Sequence, residues 1–344
     1  VEKKVVNPIV SFSAIEQFIK KGDKIESDGL IDVYSRYLED ETEIGNLARS
    51  YTNLIDYANE YIEDIKSIES EKKRIETELE IAERIQQANL PEKSIENRTY
   101  YVNGFSKPAK EVGGDFYDYY PIDDENVAVI IGDASGKGVP AAIVAIITQS
   151  IIKQLFKTEK DPSKILFSLN NQLCENNPEL MFITLWIGVY NKNTGVLTYS
   201  NAGHERPLIS KNGNIEFLEM DSGIVLGVME DFDFKKGSID VFDGVLLYTD
   251  GITDEKNIND EFYGSKRLME FFKDKKFDEK IIKELINDIE IFMDGEDKFD
   301  DMTVLVVNNY INKKEWMEGY YPSNSFNLSA IASAMYCFAF SSSS

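Results

Sequence analysis

Four short patches that carry aspartate constrain the fold of this chain more than any other feature. They are residues 113–118 (GGDFYD), 131–138 (IGDASGKG), 247–251 (LYTDG) and 299–303 (FDDMT). In three of them an apolar or β-rich run begins or ends at the aspartate, and glycine flanks the aspartate in three. Any one such patch is typical of a turn, but four of them predict carboxylates at strand ends around one pocket. Several oxygen ligands converging there suit Mg²⁺ or Mn²⁺ rather than a thiolate-bound metal.

Composition excludes several classes of protein. The 344 residues predict two or three domains, and a hydrophobic fraction of 42% is enough for a real core. A net charge of −24 repels nucleic-acid backbones and anionic membrane surfaces. Cys174 and Cys337 are the only cysteines, which excludes a disulfide framework and a structural zinc site and favours a reducing cytosol. No apolar run is long enough to span a bilayer.

A heptad repeat precedes the aspartate patches. One seam position is occupied by Ile44, Tyr51, Ala58, Ile65, Lys72, Leu79 and Gln86, and the other by Leu47, Leu54, Tyr61, Ile68, Ile75, Ala82 and Asn89. Such a register predicts a parallel dimeric coiled coil. The alternative is a long helix that packs on its own domain. The acidic residues 40–43 suit the helix N-terminus, and Pro91 is expected to end the helix.

From Arg98 onward the pattern changes to short apolar runs bounded by Gly, Asn or Asp. We predict strands at residues 100–105, 116–120, 127–131, 182–189, 196–200, 244–248 and 303–307. We predict helices at residues 141–156, 162–175, 266–272 and 279–292. Strands that cluster without strict βαβ alternation indicate an α+β sandwich. An N-terminal helix is expected over residues 5–19.

The four aspartates Asp115, Asp133, Asp250 and Asp300 point to metal-assisted phosphoester hydrolysis. Four carboxylates in one pocket cannot all stay ionised without cations. Two divalent ions would relieve the repulsion, lower the pKa of a bridging water and neutralise an incoming phosphate. The flanking glycines allow close approach of the backbone, so the Ala134 carbonyl is a candidate ligand.

In this order and at these intervals the four patches resemble the PPM-type (type 2C) metal-dependent serine/threonine phosphatases, and among them the SpoIIE-like branch. Residues 82–91 (AERIQQANLP), 201–207 (NAGHERP) and 226–227 (LG) also match. The resemblance covers roughly residues 80–310. It implies a PPM-phosphatase-like β-sandwich flanked by helices, two Mn²⁺ or Mg²⁺ ions, and a phosphoserine or phosphothreonine substrate on a STAS-type anti-sigma-factor antagonist.

The resemblance also implies roles for individual residues. Asp115 and Asp133 bind the metal pair with the Ala134 carbonyl, and Asp250 and Asp300 complete the second ion's shell. Asp301 stands where many relatives have asparagine, so either member of the Asp300–Asp301 pair could be the ligand, and we favour Asp300. Asp118 is an outer-shell acid or a surface residue. His204, the sole histidine, either braces its loop or takes part in catalysis.

Residues 1–66 resemble a HAMP domain, the helical relay that follows transmembrane segments in bacterial receptors. The resemblance rests on residues 6–9 (VNPI), 21–23 (KGD) and 40–47 (DETEIGNL). It implies an all-α dimeric bundle and a transmembrane sensor upstream of Val1, so that the chain is the cytoplasmic portion of a membrane sensor. We therefore predict a HAMP domain at 1–66, a coiled-coil switch helix at 67–91, a phosphatase domain at 92–310 and a tail of unknown role at 311–344.

Three other interpretations compete with this one. Residues 132–138 resemble a P-loop, but the spacing is too short and Gly138 stands where Ser or Thr should bind Mg²⁺. Residues 113–116 resemble the diguanylate cyclase signature, but Phe116 replaces its second acid. A phosphatase-like module that only binds partners is the main alternative to an enzyme.

Overall fold

The computed structural model describes residues 37–311 except 176, 178, 274, 276 and 297. The predicted N-terminal helix, most of the HAMP-like segment and the tail from residue 312 lie outside the described residues. The chain divides into two compact units between Glu80 and Ile81. Within the described part, no helix combines the length and apolarity needed to cross a membrane.

A helix of 45 residues, α1 (Glu43–Gln87), occupies most of the predicted heptad region. The Asp40 Oδ1 atom accepts a hydrogen bond from the Thr42 amide just before the helix begins. Several seam side chains are exposed, with Leu54 at 64% and Ile68 at 68%. Ile55, one position after Leu54, is buried instead. The helix ends at Gln87, four residues before Pro91, and its last turn tightens into hydrogen bonds of the i to i+3 type.

Two antiparallel sheets follow the helix. The strands are β1 (Ile95–Glu96), β2 (Tyr100–Lys107), β3 (Asp115–Pro121), β4 (Asn126–Ala134), β5 (Ile183–Asn191), β6 (Leu197–Ala202), β7 (Leu208–Lys211), β8 (Asn214–Phe217), β9 (Lys236–Ile239), β10 (Gly244–Tyr248) and β11 (Met302–Asn309). One sheet has the order β1-β2-β11-β10-β7-β8 and the other β3-β4-β5-β6-β9. Every named pair in both sheets is antiparallel.

Helices cover the outer faces of the two sheets. They are α2 (Val139–Leu155), α3 (Pro162–Glu175), α4 (Gly264–Phe272) and α5 (Ile281–Met293). One apolar cluster joins the facing sides of the sheets through residues such as Trp186 and Val245. A second joins α4 and α5 to one sheet, and a third joins α2 and α3 to the other. Burial on both faces explains why the central strands read as solid apolar runs.

These elements confirm the predicted α+β sandwich flanked by helices. All seven predicted strands and four predicted helices are present, with ends shifted by a few residues at most. The strands β1, β7, β8 and β9 were not predicted. They are two to four residues long, which is too short for an apolar run or an alternation to identify a strand, and three of them, β1, β8 and β9, lie at sheet edges.

Candidate functional site

The first two predicted ligands face each other across one pair of strands. Asp115 opens β3, and its direct partner in the antiparallel register is Asp133, near the end of β4. Gly114 lies against the Ala134 carbonyl, and a side chain at Gly113 would collide with the Asp301 carboxylate. The glycines before Asp115 are therefore needed for these close contacts with the Asp301 carboxylate and the Ala134 carbonyl.

The other predicted ligands come from the opposite sheet. Asp250 begins a 3₁₀ turn, Asp250–Ile252, directly after β10, and Asp300 precedes β11. A hydroxyl links the two sheets at this point, because Thr249 Oγ1 donates a hydrogen bond of 2.6 Å to Asp115 Oδ2. The Thr303 amide in turn donates to Thr249 Oγ1 at 3.1 Å. Thr249 thus orients the Asp115 carboxylate from across the sandwich.

The Asp301 carboxylate is occupied by backbone amides. Its Oδ1 accepts a hydrogen bond from the Ala109 amide at 2.7 Å, and its Oδ2 accepts one from the Gly114 amide at 2.8 Å. The side chain is buried and ties the segment before β3 to the segment before β11. Asp301 therefore has the contacts of a structural brace.

Asp300 is in a different environment. Its Oδ2 lies 2.9 Å from Lys137 Nζ, in an ion pair whose side chains are 29% and 41% exposed, respectively. The Lys137 ammonium also donates to the Phe299 carbonyl at 2.9 Å. Asp300 is thus the member of the Asp300–Asp301 pair whose carboxylate faces an exchangeable cation.

Burial and, after it, mutual repulsion raise the pKa values of the aspartates at the site. Burial raises the pKa of Asp133 to about 7, with further contributions from Asp250, Asp300 and Asp301. Burial, followed by the charge of Asp133, also raises the pKa of Asp115 well above its ordinary range. The pKa of Asp250 is raised by burial and then by Asp300. The structure therefore brings all five predicted aspartates into one electrostatic cluster.

This cluster fits divalent cations by its chemistry. Its donors are carboxylate oxygens and one nearby backbone carbonyl, which are the ligands preferred by Mg²⁺ and Mn²⁺. Burial, followed by the charges of neighbouring carboxylates, raises the pKa values of Asp115 and Asp133, and a bound cation would favour their ionised forms. Within the described ranges, no three Asp, Glu, His or Cys side chains form a ready-made metal cage. The oxygen donors are present, but the described side chains are not arranged as a closed set of ligands.

Asp118 does not belong to the cluster. It lies three residues after Asp115, so alternation along β3 directs it to the opposite, helix-covered face. There it is 3% exposed, and its Oδ2 lies 2.7 Å from Lys153 Nζ of α2. Both alternatives for Asp118, an outer-shell acid or a surface residue, are therefore wrong: it is half of an ion pair at a buried position.

His204 has the contacts of a brace. It is buried, and its Nδ1 lies 2.8 Å from the Thr184 hydroxyl, whose residue is the cross-strand partner of Asp133. Burial lowers the pKa of His204 to about 3, so the imidazole is neutral at pH 7. The Asn201 side chain accepts a hydrogen bond from the His204 amide and donates to the His204 carbonyl. These contacts favour the structural role over catalysis.

Three contacts at the site were not predicted from the sequence. They are the hydrogen bond from the Thr249 hydroxyl to Asp115, the ion pair between Lys137 and Asp300, and the two hydrogen bonds between Gln86 and Gly113, in which Gln86 donates one and accepts the other. Gln86 and Lys137 lie inside motifs that the sequence singled out. Their partners are far away along the chain, and no local pattern identifies such pairs.

Comparison with known proteins agrees with this architecture. Residues 123–309 match the model of the family described as Stage II sporulation protein E (SpoIIE). The chain is 30% identical over 335 residues to protein IcfG of Synechocystis sp., covering 87% of this chain and 51% of that protein. It is 31% identical over 209 residues to phosphoserine phosphatase RsbU of Bacillus subtilis, covering 60% of this chain and 62% of RsbU. The chain thus spans between half and two thirds of the length of these two relatives.

A solved structure shares the fold. The SiaA-PP2C domain of Pseudomonas aeruginosa superposes with a TM-score of 0.61 at 20% identity, covering 69% of this chain and 98% of that domain. This similarity and the family match leave no support for the diguanylate cyclase alternative. With its two antiparallel sheets and its aspartate patches at their facing ends, the chain belongs to the SpoIIE family of PP2C-type phosphatase domains.

Proposed function

We propose that the chain is a metal-dependent protein serine/threonine phosphatase that hydrolyses phosphoserine or phosphothreonine on a regulatory protein. The observation that carries this proposal is the convergence of Asp115, Asp133, Asp250 and Asp300 from two sheets into one cluster. The similarity to the phosphoserine phosphatase RsbU supports the same reaction.

Two Mn²⁺ or Mg²⁺ ions would be held by Asp115, Asp133, Asp250, Asp300 and the Ala134 carbonyl. When bound, such ions lower the pKa of a coordinated water and neutralise the phosphate of the substrate. The residues of the chain supply orientation: Thr249 holds one oxygen of Asp115. We assign Asp301 to bracing rather than to a metal, because both of its oxygens already accept backbone hydrogen bonds.

The substrate that we propose is a small phosphorylated regulator of the STAS type, an anti-sigma-factor antagonist. The support is the similarity to RsbU together with the charge of the chain, which disfavours nucleic acid as a partner. The phosphorylated regulator thus remains the proposed partner.

The decisive experiment is hydrolysis of p-nitrophenyl phosphate, and of a phosphorylated STAS protein, at saturating Mn²⁺. We expect the wild-type chain to be at least a hundredfold more active than Asp133→Asn, since loss of one essential metal ligand typically costs that much or more. Asp124→Asn removes an exposed acid from the β3–β4 turn and is the matched control, expected to retain full activity. Equal rates of hydrolysis for the wild type and Asp133→Asn would refute the proposed phosphatase activity.

A non-catalytic binding module is the second candidate, and the observation in its favour is that the described acids form no ready-made cage. Calorimetry separates the two functions. A phosphatase should bind Mn²⁺ at two sites per chain, whereas a binding module should bind it weakly or at one site.

We further propose that the site is controlled through α1 in a homodimer, within the cytoplasmic portion of a membrane sensor. The exposed apolar seam of α1 supports a parallel partner helix. At its C-terminal end, Gln86 Nε2 donates to the Gly113 carbonyl at 2.7 Å, and the Gly113 amide donates back to Gln86 Oε1 at 3.2 Å. This pair of bonds connects the last turn of the helix to the segment that carries Asp115.

The same proposal divides the chain into four parts. They are a HAMP domain at 1–66, a switch helix at 67–91, a phosphatase domain at 92–310 and a tail.

A further inference from the structure

Lys137 is a cation in an environment of acids. It lies in the loop between β4 and α2, four residues after Asp133, and its ammonium pairs with Asp300 at 2.9 Å. It also contributes positive charge near Asp250. The lysine therefore neutralises part of the cluster while no metal is bound.

The Lys137–Asp300 ion pair can be broken at a small cost in free energy. Both side chains are partly exposed, and ion pairs of this kind contribute little to stability. The lysine is flanked by Gly136 and Gly138, whose φ angles are +91° and +78°. The Lys137 ammonium also lies 2.9 Å from the Phe299 carbonyl oxygen and 5.2 Å from the centroid of the Phe299 ring. These contacts position the ammonium and leave the side chain partly exposed.

We propose that Lys137 is the phosphate-binding residue of this site: it serves as a counter-ion for Asp300 in the metal-free protein and pairs with the dianionic phosphate of the substrate once metal occupies Asp300. A divalent ion on Asp300 removes the lysine's partner, and an arriving phosphate monoester offers a more highly charged one. An ammonium on a flexible stem can move from the carboxylate to the phosphate. The inference rests on the proposed phosphatase function.

The chain offers a matched control in Lys256. Its ammonium lies 4.6 Å from the centroid of the same Phe299 ring, but its carboxylate partner is Asp260, at 3.8 Å. Lys256→Ala removes one positive charge beside Phe299 and leaves the Asp300 pair untouched. Lys137→Arg keeps the charge at the first position.

The first measurement is calorimetric titration of Mn²⁺ into the metal-free protein. We expect Lys137→Ala to bind Mn²⁺ roughly three- to tenfold more tightly than the wild type, because the competing ammonium is gone. Lys256→Ala and Lys137→Arg should bind it about as the wild type does. Weaker binding of Mn²⁺ by Lys137→Ala would overturn the counter-ion role.

The second measurement is calorimetric binding of inorganic phosphate to the Mg²⁺-loaded protein. Lys137→Ala should weaken phosphate binding about tenfold, the effect of one charge-assisted hydrogen bond at a partly exposed site. The wild type, Lys137→Arg and Lys256→Ala should agree within about threefold. Unchanged phosphate affinity in Lys137→Ala, an equal loss in Lys256→Ala, or no phosphate binding by the Mg²⁺-loaded wild type would overturn the proposal.

Kinetics then separate this inference from the proposed function. If the wild type hydrolyses phosphomonoesters and Lys137→Ala has the same KM, the phosphatase stands and the role of Lys137 is wrong. If the wild type hydrolyses none, the proposed function fails, and the binding measurements still decide what Lys137 does.

Discussion

The adjacent acids Asp300 and Asp301 have different contacts. Asp300 meets an exchangeable lysine, whereas Asp301 accepts hydrogen bonds on both oxygens from amides of the Ala109–Gly114 segment. The two residues lie in the bend and the connecting residue that precede β11, and their side chains contact different parts of the protein. The Asp301 side chain braces the fold, and we propose that the Asp300 side chain serves the site.

Replacing each of these acids by asparagine should separate the two roles. Asp301→Asn places an amide donor against a backbone N–H, so we expect a loss of about 1–3 kcal/mol in the free energy of unfolding. Asp300→Asn should change stability by less than about 1 kcal/mol, because its ion pair is partly exposed. It should, however, weaken Mn²⁺ binding at least tenfold. Urea unfolding without metal and Mn²⁺ calorimetry measure the two effects, and the reversed pattern would make Asp301 the ligand.

Asp133 should make the metal-free protein less stable as the pH rises. Its pKa is raised from 3.8 to about 7 in the folded state, so the folded state holds a proton that the unfolded chain releases. This contribution is fully present below about pH 4 and is lost as the pH rises through 7. The free energy of unfolding of Asp133→Asn, measured relative to that of the wild type, should therefore increase by on the order of 2–4 kcal/mol between pH 4 and pH 8. Urea unfolding in EDTA at several pH values measures the difference, and a constant difference would contradict the prediction.

At the scale of elements, the site depends on where strands end and on one helix end. The aspartates lie where β3 and β11 begin and where β4 and β10 end, so antiparallel pairing brings Asp115 beside Asp133 in one sheet and places Asp250 and Asp300 at the same end of two paired strands in the other. The packing of the two sheets then brings the two pairs together. The end of α1 is joined to the same edge by Gln86, which is 9% exposed and bonds both polar groups of Gly113. This pair of hydrogen bonds connects the last turn of α1 to the segment that precedes Asp115.

Gln86→Leu should weaken the attachment of the segment around Gly113 and still fill the buried position with a side chain. Two hydrogen bonds to Gly113 are lost and the buried Gly113 amide and carbonyl lose their partner, which should destabilise the protein by about 1–3 kcal/mol. Mn²⁺ affinity should fall severalfold. Gln87→Leu is the matched control, because the Gln87 side chain is exposed and bonds only Glu83 of its own helix. Equal Mn²⁺ affinities in both variants would show that Gln86 does not support the site.

At the scale of the whole molecule, α1 presents apolar side chains that one chain leaves in water. Leu54, Tyr61 and Ile68 are each more than 60% exposed and recur at seven-residue spacing. Burying such a seam against an identical helix is the usual way a coiled coil removes apolar surface from water. The expected partner is a second copy of the chain.

Sedimentation should therefore show a dimer that depends on the seam. Leu54→Lys combined with Ile68→Lys should give a monomer, because four lysines would meet in the interface. Asp56→Lys combined with Ser70→Lys has the same spacing on an exposed face of the helix and should remain dimeric. A fragment of residues 92–310 should be monomeric. A monomeric wild-type chain would rule out control through a dimeric relay.

Sequence patterns were sufficient wherever one local rule decided the outcome. Apolar runs located the seven longer strands, and heptad spacing located α1. Short strands such as β8 were missed, because four residues are too few for an alternation to identify a strand. The opposite face of Asp118 follows from strand periodicity once β3 is known.

The sequence by itself determined the α+β class and the long helix, because these depend on short-range periodicity, and it predicted the aspartates that we propose as metal ligands. Only the tertiary structure decided which acid braces and which faces a cation, that Thr249 holds Asp115, and that Gln86 reaches Gly113. Those contacts join residues 27 to 192 positions apart. Hydrogen-bond partners at such separations are set by how two sheets and a helix end pack together, and no local pattern encodes that packing.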